Sequence, residues 1–130
     1  MVVGVLALQG DFAEHCDIFR SLNTDCIEVR TTDDLEKVDH LVLPGGESTT
    51  IAKQLKITGL DKAIAKADLP IYGTCAGAIL LASKIDNDES IETLSLIDIQ
   101  IERNAYGTQL DSFHASIDVE GCADPIAVAF

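Results

Sequence analysis

The sequence predicts an α/β fold: a mainly parallel sheet flanked by helices, three layers in all. Three observations predict it. Apolar runs alternate with amphipathic stretches along the chain. The first apolar run, residues 2–8, is nearly continuous, which suits a strand buried on both faces. Glycine-bearing turns follow the apolar runs, and in parallel sheets ligands bind at the carboxyl ends of the strands.

The elements follow in order. After the strand at 2–8, Gly10-Asp11 opens a helix through residue 22, with Phe12, Ile18, Phe19 and Leu22 on one face and Asp11 placed to cap its start. Residues 25–30 read as a second strand, and 31–37 as a short polar helix or turn. Residues 38–43 form a third strand that ends at Pro44-Gly45-Gly46. Residues 48–55 and 61–67 read as helical. A short strand at 70–74 is followed by a helix of small and apolar residues over 76–84. Beyond these, 96–102, 113–119 and 125–130 carry strand patterns. With no repeat, low-complexity tract or linker, residues 1–130 read as one domain.

Composition narrows the function classes. Of 130 residues, 47% are apolar, enough to bury a core, and the net charge is −13. So acidic a chain argues against a nucleic-acid-binding surface and against attraction to anionic membranes. The apolar start stops at Gln9, too short to span a bilayer, and carries no basic leader. A cytoplasmic location with reduced thiols is the expectation. The four cysteines, Cys16, Cys26, Cys75 and Cys122, form no C-x-x-C pair, which weakens zinc and redox readings. Three of them need only be small buried residues.

Cys75 differs. Gly73-Thr74-Cys75-Ala76-Gly77 is the thiol form of the G-x-S-x-G nucleophile elbow. Small neighbours are needed where a strand turns sharply into a helix. Partial positive charge at a helix N-terminus favours a thiolate, and the N–H of Ala76 could point at a developing oxyanion. The bland alternative is a tight turn with a buried cysteine. A second segment, Leu43-Pro44-Gly45-Gly46-Glu47-Ser48-Thr49-Thr50, follows a strand and opens a helix. Its glycines could bring N–H groups to a ligand, Ser48 could cap the helix, and Glu47 could meet an ammonium group. It lacks the G-K-[ST] ending of a nucleotide loop; a plain glycine turn is the alternative. A third, Glu102-Arg103-Asn104-Ala105-Tyr106-Gly107, carries one of only three arginines. Arg103 could hold a carboxylate bidentately, or simply pair with a nearby Asp or Glu.

Together with Val5-Leu6-Ala7-Leu8-Gln9-Gly10-Asp11-Phe12 and Asp111-Ser112-Phe113, these stretches resemble the glutaminase-subunit family of two-component pyridoxal 5′-phosphate synthases, which are triad-type glutamine amidotransferases. The resemblance implies a flavodoxin-like fold of the class I amidotransferase kind. It implies that Cys75 is the nucleophile and that Gly46, Glu47, Ser48 and Arg103 bind glutamine. The backbone at Gly46 and Ala76 would hold the oxyanion. The implied reaction is hydrolysis of glutamine to glutamate and ammonia through a glutamyl thioester, with no cofactor and no metal. The implied partner is a synthase subunit that takes the ammonia and builds pyridoxal 5′-phosphate, with Gln9 and the first helix at the interface.

A triad also needs a base and a carboxylate to orient it. In the family resembled, these come from a His-Pro-Glu segment near the C-terminus, and no such segment occurs here. His15, His40 and His114 each fall where the family has no base. The C-terminal part of the fold is therefore expected to be missing, as in a fragment or a truncated reading frame, leaving an exposed sheet edge and an uncovered apolar face. A non-catalytic glutamine-binding or regulatory subunit without the His and Glu is the alternative.

Overall fold

The computed structural model describes residues 1–88, 90–107 and 109–129. The chain runs β1 (Val2–Leu6), α1 (Phe12–Ser21), β2 (Asp25–Val29), α2 (Thr32–Leu35), β3 (His40–Leu43), α3 (Ser48–Thr58), α4 (Leu60–Lys66), β4 (Ile71–Gly73) and α5 (Ala76–Leu81). It continues with β5 (Ala82–Ile85), β6 (Ile97–Ile101), a 3-10 turn, β7 (His114–Ile117) and β8 (Ile126–Ala129). The last predicted strand position, Phe130, lies outside the described residues.

Four strands form a parallel sheet in the order β2-β1-β3-β4. The two-residue period of the strands sorts their side chains between two cores. Leu6, Leu41 and Leu43 face Ile51 and Leu55 of α3, Leu60 and Ile64 of α4, and Leu80 and Leu81 of α5. Val3, Val5 and Val42 face the other way, onto Cys16 with Phe12 and Phe19 of α1. The sheet thus lies between two helical layers, as the sequence predicts. Each fully buried leucine on the larger face contributes about 1.5–3 kcal/mol of transfer free energy.

Three expectations are corrected. In α1 the inward stripe is Phe12, Cys16 and Phe19, at spacings of four and three, while Ile18 and Leu22 are exposed. Asp11 occupies the N-cap position, but its carboxylate makes no capping hydrogen bond. The helix at 76–84 stops at Leu81: Ala82 turns extended (φ −61°, ψ 151°), and Ala82–Ile85 pairs in parallel with Ile97–Ile101. Ala82 and Ile85 are buried while Ser83 and Lys84 are exposed, a pattern too short to distinguish a strand from a helix end.

The remaining pair, β7 and β8, is antiparallel and separate from the main sheet. Ile97 and Ile99 on β6, Ile117 on β7 and Ile126 on β8 all stay exposed to solvent. Among the described residues no helix is long and apolar enough to cross a membrane.

Candidate functional site

Three turns converge at the carboxyl ends of β1, β3 and β4. The N–H of Asp11 donates to the Gly45 carbonyl at 3.1 Å. The N–H of Glu47 donates to Gln9 Oε1 at 2.8 Å. A Cβ placed on Gly45 would lie 3.5 Å from Cys75 Cβ, so the glycine turn backs directly onto the thiol-bearing residue.

The elbow is built as its sequence requires. The Thr74 N–H donates to the Leu43 carbonyl at 3.0 Å, extending the β3–β4 pairing one residue beyond the strand. Cys75 then adopts φ 47°, ψ −110°, a conformation that side chains disfavour. Helix α5 starts at the next residue. Nothing larger than glycine fits on either side: a Cβ on Gly73 would come within 2.7 Å of the Gly77 carbonyl carbon, and one on Gly77 within 2.0 Å of the Leu43 oxygen. The two glycines let the chain cross itself tightly enough to leave Cys75 exposed at the tip.

The other thiols occupy different settings. Cys16 is buried. Burial, and then a hydrogen bond with Cys16, push the Cys26 thiol up to about 12, far from a thiolate at neutral pH. Cys122 is exposed, which corrects the expectation that every cysteine other than Cys75 is buried.

In the glycine turn, Glu47 and not Ser48 caps α3. Its carboxylate accepts from the N–H groups of Thr49 (3.0 Å) and Thr50 (2.7 Å) and from the Thr50 hydroxyl (2.6 Å). The Thr50 hydroxyl is the largest of the influences that pull the Glu47 carboxyl down to about 2. Because its N–H is tied to Gln9, residue 47 is held extended (φ −97°, ψ 108°), and Ser48 falls inside the helix, where it is buried. Among the described residues, the N–H of neither Gly46 nor Ala76 has a protein acceptor.

Arg103 is held by an ion pair. Its guanidinium pairs with Asp88, and its main chain exchanges hydrogen bonds with the Asn87 side chain, donating to Oδ1 and accepting from Nδ2. This is the ion pair that composition alone suggests. Among the described residues no hydrogen bond joins the Cys75 sulfur to a histidine, and no group of His, Cys, Asp and Glu could hold a metal ion. His40 begins β3, at the far end of the sheet, and His114 is exposed on β7.

Sequence reasoning passes over one neighbour of the elbow. His15 of α1 reaches Thr74 Oγ1 with Nε2 at 3.2 Å. The available signal is the strand-end rule: residues 9–11 follow β1 as the glycine turn follows β3, so the start of α1 belongs to the ligand end of the sheet.

The profile of the SNO glutamine amidotransferase family matches residues 5–130. A Chloroflexus aurantiacus protein named pyridoxal 5′-phosphate synthase subunit PdxT is 54% identical over 122 residues, 90% of this chain and 64% of the relative. The protein of that name from Fervidobacterium nodosum is 45% identical over 133 residues, 100% of this chain and 69% of its own length. A solved structure described as a glutamine amidotransferase superposes with a TM-score of 0.91 at 41% identity, covering 100% of this chain and 70% of that one. The chain thus spans 64% of the Chloroflexus relative's length and 69% of the Fervidobacterium relative's.

Proposed function

The chain belongs to the SNO glutamine amidotransferase family, and from that membership and the three converging turns we propose that it is the nucleophile-bearing part of a glutaminase. The observation that carries this reading is Cys75, exposed on a strained elbow with the Gly45–Gly46 turn packed behind it. A domain that merely turned its chain here would have no use for that strain.

The proposed chemistry is acyl transfer. The Cys75 thiolate attacks the side-chain amide carbon of glutamine, and the carbonyl electron pair moves onto oxygen. The N–H groups of Gly46 and Ala76 receive that oxyanion. Collapse of the intermediate expels the amide nitrogen as ammonia, and water then hydrolyses the thioester to glutamate and free Cys75. Glu47 is suited to the substrate's α-ammonium group. Three donors occupy its carboxylate, which offers about four acceptor positions, and the same hydrogen bonds keep it anionic. Ser48 follows as the buried first residue of α3. Arg103 supplies further guanidinium N–H donors for the α-carboxylate, with Asp88 holding it in place.

Proton transfer requires a base next to the thiol. In this reading it comes from the part of the relatives' length that the chain does not span, along with the carboxylate that orients it. The relatives' shared name, synthase subunit, suggests the destination of the ammonia: a second subunit that makes pyridoxal 5′-phosphate. Gln9 and α1 would face it. Glutamine is the substrate in this account, no cofactor takes part, and the cytoplasm is the compartment.

The test is glutamate release by the protein from its native source, mixed with that synthase subunit. Turnover that disappears in Cys75→Ala supports the glutaminase. Equal turnover in both would overturn it, and none in either would point to a subunit that only binds glutamine.

A further inference from the structure

The elbow and the glycine turn come from distant parts of the sequence, yet the proposed chemistry needs them in fixed register. One side chain joins them. His15 Nδ1 lies 2.7 Å from the Asp11 carbonyl, and its Nε2 lies 3.2 Å from Thr74 Oγ1. A carbonyl can only accept, so Nδ1 carries the hydrogen. In the neutral ring Nε2 then accepts, and the Thr74 hydroxyl donates to it. Asp11 in turn donates its N–H to the Gly45 carbonyl at 3.1 Å. A continuous chain of hydrogen bonds therefore runs from Gly45, through Asp11 and His15, to Thr74, the residue directly before the strained Cys75.

We propose that His15 is a positioning residue that locks the Cys75 elbow to the Gly45–Gly46 turn and so sets the thiol's presentation toward the oxyanion donors. It is not the base, because its one accepting nitrogen is already taken by the Thr74 hydroxyl. The imidazole suits this task. It is rigid, it is half-buried between α1 and the elbow, and its two nitrogens face opposite partners. No acyclic side chain of similar length spans both partners as rigidly.

The role in turnover rests on the glutaminase reading, but the lock itself can be tested without it. The full-length native protein and its His15→Leu, His15→Gln and Thr74→Val variants are treated with iodoacetamide, and alkylation of each cysteine is followed by peptide mass spectrometry. Exposed Cys122, far along the sequence on a separate segment, is the internal reference. The expectation is that His15→Leu and Thr74→Val each slow Cys75 alkylation about three- to tenfold, the range for losing one net hydrogen bond, with Cys122 unchanged. The double variant is expected to be no slower than His15→Leu alone, because that change already removes the bond that Thr74→Val removes. His15→Gln, which can still accept from Thr74, is expected to recover part of the rate. In the glutamine assay the same variants lower kcat and leave KM within about twofold, as for groups acting on the transition state alone. Unchanged Cys75 alkylation in folded Thr74→Val, the variant that best keeps side-chain shape, would overturn the lock. Loss of turnover in the unmodified protein, with the alkylation pattern intact, would instead overturn the glutaminase reading.

Discussion

Replacing Cys75 by glycine is expected to make the protein more stable while removing the proposed nucleophile. At φ 47° and ψ −110° the residue occupies a region that glycine enters freely and other residues do not. Such strain costs about 1–3 kcal/mol. Cys75→Ala keeps the Cβ and therefore the strain. Because the sulfur is exposed, that variant should melt within about 0.5 kcal/mol of the parent. Cys75→Gly releases the strain but gives the unfolded chain more freedom, a cost of about 0.5–1 kcal/mol. The net gain over alanine is about 0.5–2 kcal/mol, or roughly 2–8 °C in melting temperature for a domain of this size. Thermal unfolding followed by circular dichroism measures it. If Cys75→Gly melts at or below Cys75→Ala, the elbow stores no strain, and the case for a thiol held in a disfavoured conformation for chemistry fails.

Other consequences can be checked in the same preparations. Gly77→Ala would drive a Cβ to within 2.0 Å of the Leu43 oxygen, which also accepts from Thr74, so a loss of about 1–3 kcal/mol or more is expected by thermal melting. Glu47→Ala removes the cap of α3 and is expected to cost about 1 kcal/mol in denaturant unfolding. Glu47 and Asp34 both have carboxyls pulled down to about 2, Glu47 chiefly by the Thr50 hydroxyl and Asp34 chiefly by the Thr31 hydroxyl. A folded-state value below the unfolded one means the stabilisation is complete above the ordinary carboxylate range and is lost as pH falls toward 2. Acid unfolding between about pH 4.5 and 2 should therefore be shallower in Glu47→Ala than in the parent, and an identical slope would contradict the cap's role. Among the thiols, Cys75 and Cys122 should react readily with a small electrophile at neutral pH, while Cys26 stays unmodified in the folded protein.

The central sheet is legible in the sequence because residues 2–8 and 38–43 are apolar almost without interruption, as strands covered on both faces must be. The elbow is legible because its two glycines are a steric requirement, and the contacts around Gly73 and Gly77 show that requirement directly. What escapes sequence reading depends on distant partners. Ala82–Ile85 is a strand only because Ile97–Ile101 lies beside it; locally its small apolar residues simply continue a helix. Capping preference favours Ser48, yet Gln9 holds residue 47 at the helix start and gives the cap to Glu47. His15 meets Thr74 across 59 residues of chain, and nothing in the pattern of α1 announces the contact. The Arg103–Asp88 pair is foreseeable in kind from so acidic a composition, but not in its partner.

The central claim is the proposal that Cys75 acts as the nucleophile toward the side-chain amide of glutamine. The most direct measurement is active-site labelling of the native protein, with the proposed synthase partner present, by a chloroketone analogue of glutamine, read by peptide mass spectrometry. The account predicts a single adduct on the Cys75 peptide that excess glutamine suppresses and glutamate suppresses less, with Cys122 labelled only slowly and without protection. Labelling of Cys75 and Cys122 at equal rates, with no protection by glutamine at either, would contradict it.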